Sequence, residues 1–163
     1  MTDPKIKIYL ERAEKEIILG KTNLEISLNK DLKKTLNVPE HMTFLNDVIS
    51  EFYYSIFYAA KAYLLSKGVE TKIPNEHKKT YSKFKKIVKS GKLDKKLLEI
   101  YNTEAEKAEV LLNIFSDEKK KRGRFVYNVD FNANLPYASE SMENAIKFVS
   151  TIKMLIEQEE RSI

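Results

Sequence analysis

The sequence predicts an all-α protein, an antiparallel bundle of four long helices and one short helix in a single domain, residues 1–163. Apolar residues recur at spacings of three and four over most of the chain, which is the period of an amphipathic helix. Only four glycines and four prolines occur in 163 residues, which argues against a turn-rich β fold. This length suits one domain with a full hydrophobic core.

The stretch from residue 44 to residue 65 is predicted to be the central helix. It holds only three charged residues, Asp47, Glu51 and Lys61, and its apolar residues occupy most of its circumference. Such a helix is usually surrounded by other helices. Each of the three charges would cost about 2.5–3.5 kcal/mol at the centre of a membrane. We therefore predict a soluble bundle without a membrane span.

The first helix is predicted over residues 4–30, with Asp3 as its cap and Pro4 at its first position. Gly20 falls on the apolar face of this helix, so we expect close helix packing there rather than a break. A linker follows, and Gly68 closes the central helix. The amino terminus lacks the uncharged apolar core of a signal peptide, and we expect a cytoplasmic protein.

Two more long helices and the short helix complete the bundle. The short helix is predicted over residues 76–89, after a loop. Asp94 can cap the next helix, whose apolar pattern continues to Phe115. The pattern then stops over residues 117–136, and a last helix runs to about residue 160.

Positive charge is concentrated in two parts of the chain. Residues 72–96 hold ten lysines against two acidic residues, and residues 119–124 add five positive charges with no acidic residue. The formal net charge is +5, so the rest of the chain carries a net −8. This segregation indicates a surface for an anionic partner, and nucleic acid is the first candidate. A solvated lysine face is the alternative for residues 72–96.

Metal and cofactor sites are not predicted. The chain has no cysteine, and neither of its histidines, His41 and His77, has a second ligand three or four residues further on. The four glycines are too far apart for a glycine-rich phosphate loop.

The segment from Lys119 to Asp130 is the candidate site. It is long for a connection between helices, and long connections in compact domains are often functional. Arginine offers phosphate a planar charged fork, and an adjacent aromatic ring such as that of Tyr127 can stack on a base. Phosphate binding is therefore predicted for a cluster of cations, Lys119, Lys120, Lys121, Arg122 and Arg124. A plain basic turn is the alternative for this segment.

Two stretches of this chain resemble HEPN domains, a family of small helical bundles found in bacteria and archaea. The first is RGRFVYNV, from Arg122 to Val129, where Arg122 matches the arginine of the family's signature and Tyr127 stands where catalytic members have histidine. The second covers residues 51–84, an aromatic-rich helix followed by a glycine stop and by a short helix that opens with a histidine, here His77. The resemblance extends over about residues 5–158.

The resemblance implies two functions. Catalytic HEPN domains are metal-independent ribonucleases that act as homodimers, with arginine and histidine lining a cleft between protomers. Many are encoded beside a minimal nucleotidyltransferase that serves as their antitoxin; other members bind nucleic acids or partner proteins. We expect an RNA- or nucleotide-binding and partner-binding module with a degenerate ribonuclease motif, because the phenol of Tyr127 is a poor base at neutral pH. The alternative is an active endoribonuclease toxin with Arg122 and Tyr127 as catalytic residues and His77 as a secondary candidate.

Overall fold

The structure, a computed structural model, describes residues 3–112 and 135–163. Its helices are α1 (Pro4–Leu28), α2 (Lys30–Thr35), α3 (Leu45–Ser66), α4 (Glu76–Lys89), α5 (Lys95–Leu112) and α6 (Leu135–Arg161). No strand occurs in these two ranges, so the all-α prediction is confirmed for the part of the chain that they cover. The four long helices α1, α3, α5 and α6 and the short helix α4 were all expected from the sequence.

Helix α2 was not expected, because the first helix was predicted to run without a break to residue 30. Instead Asn29 adopts an extended conformation with φ −108° and ψ 108°. Its side-chain oxygen accepts a hydrogen bond from the backbone N–H of Leu32 at 3.0 Å. Asparagine is among the best residues for starting a helix in this way. Asn29 therefore ends α1 one residue before the predicted end and begins α2, which occupies the start of the predicted linker.

Helix α3 lies at the centre of the protein, as predicted. Helices α1, α4, α5 and α6 all pack against it. The apolar positions that the sequence assigned to its buried surface are all buried, namely Leu45, Val48, Ile49, Phe52, Ile56, Phe57, Ala60, Tyr63 and Leu64. Across residues 3–112 and 135–163, no helix reaches the length and hydropathy that spanning a membrane requires.

Helices α1 and α3 pack closely and run in opposite directions. Gly20 lies against the ring of Phe52, and a Cβ atom at Gly20 would be 2.7 Å from two of its carbons. Further along α1, the Oγ of Ser27 accepts a hydrogen bond from the backbone N–H of Phe44, at 2.8 Å. The residue number rises along α1 as it falls along α3, so the pair is antiparallel. The predicted close packing at Gly20 is confirmed.

Helices α5 and α6, which flank residues 113–134 in the chain, are joined by a buried charge network. The side chains of Lys107 and Glu104 on α5 are both 0% exposed. The Lys107 ammonium has four oxygen partners, which are Glu104 Oε2 at 2.9 Å, Glu140 Oε1 at 2.6 Å, Ser141 Oγ at 3.0 Å and the carbonyl of Tyr137 at 3.2 Å. Three of these oxygens belong to α6, so one lysine connects the two helices.

Candidate nucleic-acid interface

Most of the site residues predicted from the sequence lie outside the described residues. They are Lys119, Lys120, Lys121, Arg122, Arg124 and Tyr127, and their roles stay predictions. His77 and the lysines of residues 72–96 lie in the described part of the chain.

His77 lies in the first turn of α4 and is packed into a group of aromatic rings. Its ring stacks on Phe57 with centroids 4.0 Å apart and planes at 21°. The ring of Tyr54 meets it edge-on at 5.7 Å. Nδ1 of His77 shares a hydrogen bond with the hydroxyl of Tyr53 at 2.8 Å. These contacts hold the imidazole in one orientation against the central helix.

The surroundings of His77 keep its ring uncharged at neutral pH. Burial, followed by the nearby charge of Lys61, lowers the pKa of His77 to about 4. Burial also raises the pKa of Tyr53 well above 10, so the hydrogen bond between these residues joins two neutral groups. A base with so low a pKa accepts a proton weakly at pH 7, because general-base catalysis works best when the pKa lies near the working pH. The geometry therefore favours a structural role for His77.

Lys61 is a buried charge that sequence reasoning did not assign to a site. It projects from α3, forms an ion pair with Glu76 at the start of α4, and its side chain is 6% exposed. Its Nζ also lies 4.7 Å from the ring centroid of Tyr9 on α1, at cation–π distance. Lys61 thus connects three helices beside His77. The available signal was a lysine within an otherwise apolar stretch of α3.

The outward surface of α4 is almost entirely lysine, and we call it the lysine face. The buried side of this helix carries Thr80, Phe84 and Val88. The opposite side of α4 carries six lysines, which make up the lysine face: Lys78, Lys79, Lys83, Lys85, Lys86 and Lys89. Lys85 is half-buried and the other five are exposed. Exposed Lys92, Lys95 and Lys96 continue it into the start of α5.

The lysine face has little negative charge to neutralise it. Among the ten lysines of residues 72–96, Lys72 alone has an acidic group within 4 Å in the described ranges, Glu70 at 3.6 Å. Lys79 and Lys83 are spaced i, i+4, as are Lys85 and Lys89, and such like-charge pairs destabilise a helix by a few tenths of a kcal/mol each. An anionic partner would remove this repulsion.

The grooves between the start of α1 and the end of α6 have the opposite character. They are lined by six acidic residues, Asp3, Glu11, Glu14, Glu157, Glu159 and Glu160, and by only two lysines, Lys7 and Lys153. Such a surface repels a polyanion, so the charge segregation seen in the sequence also separates surfaces of the folded protein.

No group of three or more His, Cys, Asp or Glu side chains in residues 3–112 and 135–163 is arranged to hold a metal ion. Comparison with protein-family models finds no match for this chain, and comparison with curated proteins finds none either.

Proposed function

We propose that this protein is an RNA-binding module of the HEPN type, with the antiparallel four-helix arrangement of that family and a degenerate ribonuclease motif. The observation that carries the proposal is the lysine face, whose cations lack acidic partners among the described residues. The resemblance of residues 122–129 to the family's signature supports RNA as the anion. On this proposal Arg122 contacts phosphate and Tyr127 stacks on a base or donates a hydrogen bond.

The pattern of charge on α4 favours a polyanion over a merely solvated surface. A helix face that only meets water commonly mixes acidic and basic residues four positions apart, which adds stability. On α4 such a mixture is missing, because Glu76 at its start is the one acidic residue of the helix and it pairs with buried Lys61. Phosphates spaced along an RNA strand would supply the missing negative charge.

Two partners complete the proposal. The protein forms a homodimer, and a minimal nucleotidyltransferase is a candidate second partner. Both follow from the resemblance, and the half-buried rings of Tyr54 and Tyr58 on α3 also favour the homodimer.

The test of RNA binding is the salt dependence of affinity for single-stranded RNA. If about six phosphates are contacted, a plot of log K against log salt should have a slope near −4. Changing Lys79, Lys83 and Lys86 to Glu should weaken binding and flatten that slope. A matched control changes three exposed lysines on other helices, Lys21, Lys34 and Lys147, to Glu, with the same change in net charge.

Equal loss of affinity in both triple variants would mean that net charge, and not the lysine face, attracts RNA. Binding that is insensitive to salt would exclude the proposal. Changing Lys119, Lys120 and Lys121 to Glu tests the second basic segment in the same assay, and unchanged binding would remove that segment from the interface.

The match of Arg122 to the signature arginine favours the alternative function, a metal-independent endoribonuclease toxin. If only the proton acceptor is missing, Tyr127→His should raise RNA cleavage in EDTA by about 10²–10⁴-fold, the usual value of general acid–base catalysis. Arg122→Ala should abolish that gain. Cleavage by the parent protein as fast as by its histidine variant would support the toxin. Absence of cleavage in both, with helix content intact, would leave the binding module.

A further inference from the structure

One strip of the central helix is less covered than the rest, and we call it the α3 strip. Its members follow each other at spacings of four, three, four and seven, which places them along one face of α3; they are Asp47, Glu51, Tyr54, Tyr58 and Leu65. Asp47 is exposed, and Glu51, Tyr54, Tyr58 and Leu65 are half-buried. Two tyrosines thus lie at partly open positions of a helix that is otherwise surrounded by neighbours.

The adjoining face of α1 extends this surface. Tyr9 stacks on Tyr58 with ring centroids 6.4 Å apart, and the guanidinium carbon of Arg12 lies 5.4 Å from the same ring. Leu19 follows Arg12 by seven residues and therefore lies on the same face of α1. Leu19 is 45% exposed. Two aromatic rings, a leucine and a cation therefore lie side by side on one exposed surface.

The charges on this surface are separated along its length. Its acidic end holds Asp47 and Glu51 on α3, its basic end holds Arg12 beside Tyr58, and Glu16 lies between the two ends, one turn after Arg12 on α1. In the described ranges none of these four residues has an ion-pair partner within 4 Å. Burial raises the pKa of Glu51 to about 7, and Asp47 and Glu16 add to that rise. A cation brought to the acidic end would stabilise the ionised carboxylates.

We infer that a second copy of this chain packs on the α3 strip and the adjoining face of α1, antiparallel about a twofold axis near Tyr54. In an antiparallel pair of helices related by such an axis, residues equally far before and after Tyr54 face each other. Arg12 lies level with Tyr58, four residues after Tyr54, so it meets the level of Ser50 on the other copy, which is adjacent to Glu51. The basic end of each copy thereby reaches the acidic end of the other.

RNA fits this surface less well than a second copy does. Three carboxylates on this surface would repel phosphates, whereas a twofold axis brings Arg12 of each copy close to Glu51 of the other. The tyrosines near the axis would stack on their own symmetry mates, and aromatic pairs are worth about 0.5–1.5 kcal/mol beyond the area they bury. The inference rests on the homodimer that is part of the proposed function, and it assigns the face that forms it.

The test exchanges the charges of Arg12 and Glu51, first singly and then together in one chain. Sedimentation equilibrium over a range of protein concentrations gives the dimer dissociation constant of each variant. Arg12→Glu places two carboxylates opposite each other, and we expect the dimer dissociation constant to rise by about tenfold or more. Glu51→Arg should do the same. The double variant Arg12→Glu/Glu51→Arg restores both contacts, because each copy supplies both ends, and its dissociation constant should return to near the parent value.

Two further variants make the result specific to this face. Tyr54→Arg places two guanidinium groups together at the axis and should leave only the 19.0 kDa monomer. Lys147→Glu, an exposed charge reversal on α6, should leave the dimer unchanged. Circular dichroism should show parent helix content for every variant.

Three outcomes would overturn the inference: a parent protein that is monomeric throughout, a dimer that resists both Arg12→Glu and Tyr54→Arg, or a double variant that stays as weak as the single ones. RNA affinity is measured separately on the same variants. A failure of the lysine face to bind RNA is thus distinguished from a failure of this surface to form a dimer.

Discussion

The buried network around Lys107 allows a prediction about Glu104→Met. This substitution should destabilise the parent protein but stabilise a Lys107→Met variant. Lys107→Met removes an ammonium that is 0% exposed and leaves the Glu104 carboxylate buried beside an apolar side chain. Oε2 of Glu104 then keeps one partner, the side-chain N–H of Asn144 at 3.0 Å. Oε1 of Glu104 is buried and has no hydrogen-bond partner among the described residues.

The magnitudes follow from what each substitution leaves behind. Breaking a buried ion pair by removing one charge costs about 3–5 kcal/mol, and we expect this loss for Lys107→Met. Glu104→Met should cost less, about 1–3 kcal/mol, because Lys107 retains Glu140 at 2.6 Å and Ser141 at 3.0 Å. In the Lys107→Met background, however, Glu104→Met removes an unpaired buried charge, and there it should stabilise the protein.

Urea unfolding followed by circular dichroism, at one fixed protein concentration, measures the four free energies of this double-mutant cycle. Lys147→Met on the exposed side of α6 serves as the control and should change stability by less than about 0.5 kcal/mol. Equal destabilisation of both backgrounds by Glu104→Met would contradict this prediction, since the two side chains would then act independently.

Two other predictions concern α1 and α4. Gly20→Ala should lower the free energy of unfolding by about 1–2 kcal/mol, because the clash with Phe52 at 2.7 Å outweighs the gain of about 1 kcal/mol in helix propensity; in a Phe52→Leu background urea unfolding should show little loss. The pKa of His77 is about 4 in the folded protein and about 6.5 in the unfolded protein. Between these pH values the unfolded protein binds a proton that the folded protein does not, so the free energy of unfolding is highest above pH 6.5 and falls as the pH drops to 4. Allowing for its partial exposure, His77→Gln should remove about 2 kcal/mol of that acid loss, and equal pH dependence in both proteins would contradict the pKa shift.

The sequence alone was sufficient to predict the long helices, the short helix and the buried surface of α3. These features depend on local spacing and on capping residues, which act over a few positions. Asp3 and Asp94 accept hydrogen bonds from the backbone two residues later, each at 2.9 Å, as their places in the sequence indicated. Helix α4 has the predicted bounds, 76–89. The contact at Gly20 was also predictable, because a glycine on an apolar helix face has few other uses.

Only the tertiary structure decided where charged groups are buried. Glu104 and Lys107 look like ordinary surface residues in the sequence, and Lys61 differs from them only by its apolar neighbours in the chain. Each is buried because a partner on another helix or another turn compensates its charge. The tertiary structure also decided that the first helix ends at Asn29. Close to this point the buried hydroxyl of Ser27 accepts a hydrogen bond from the backbone N–H of Phe44, at the start of α3. Such contacts join residues far apart in the chain, and local periodicity carries no information about them.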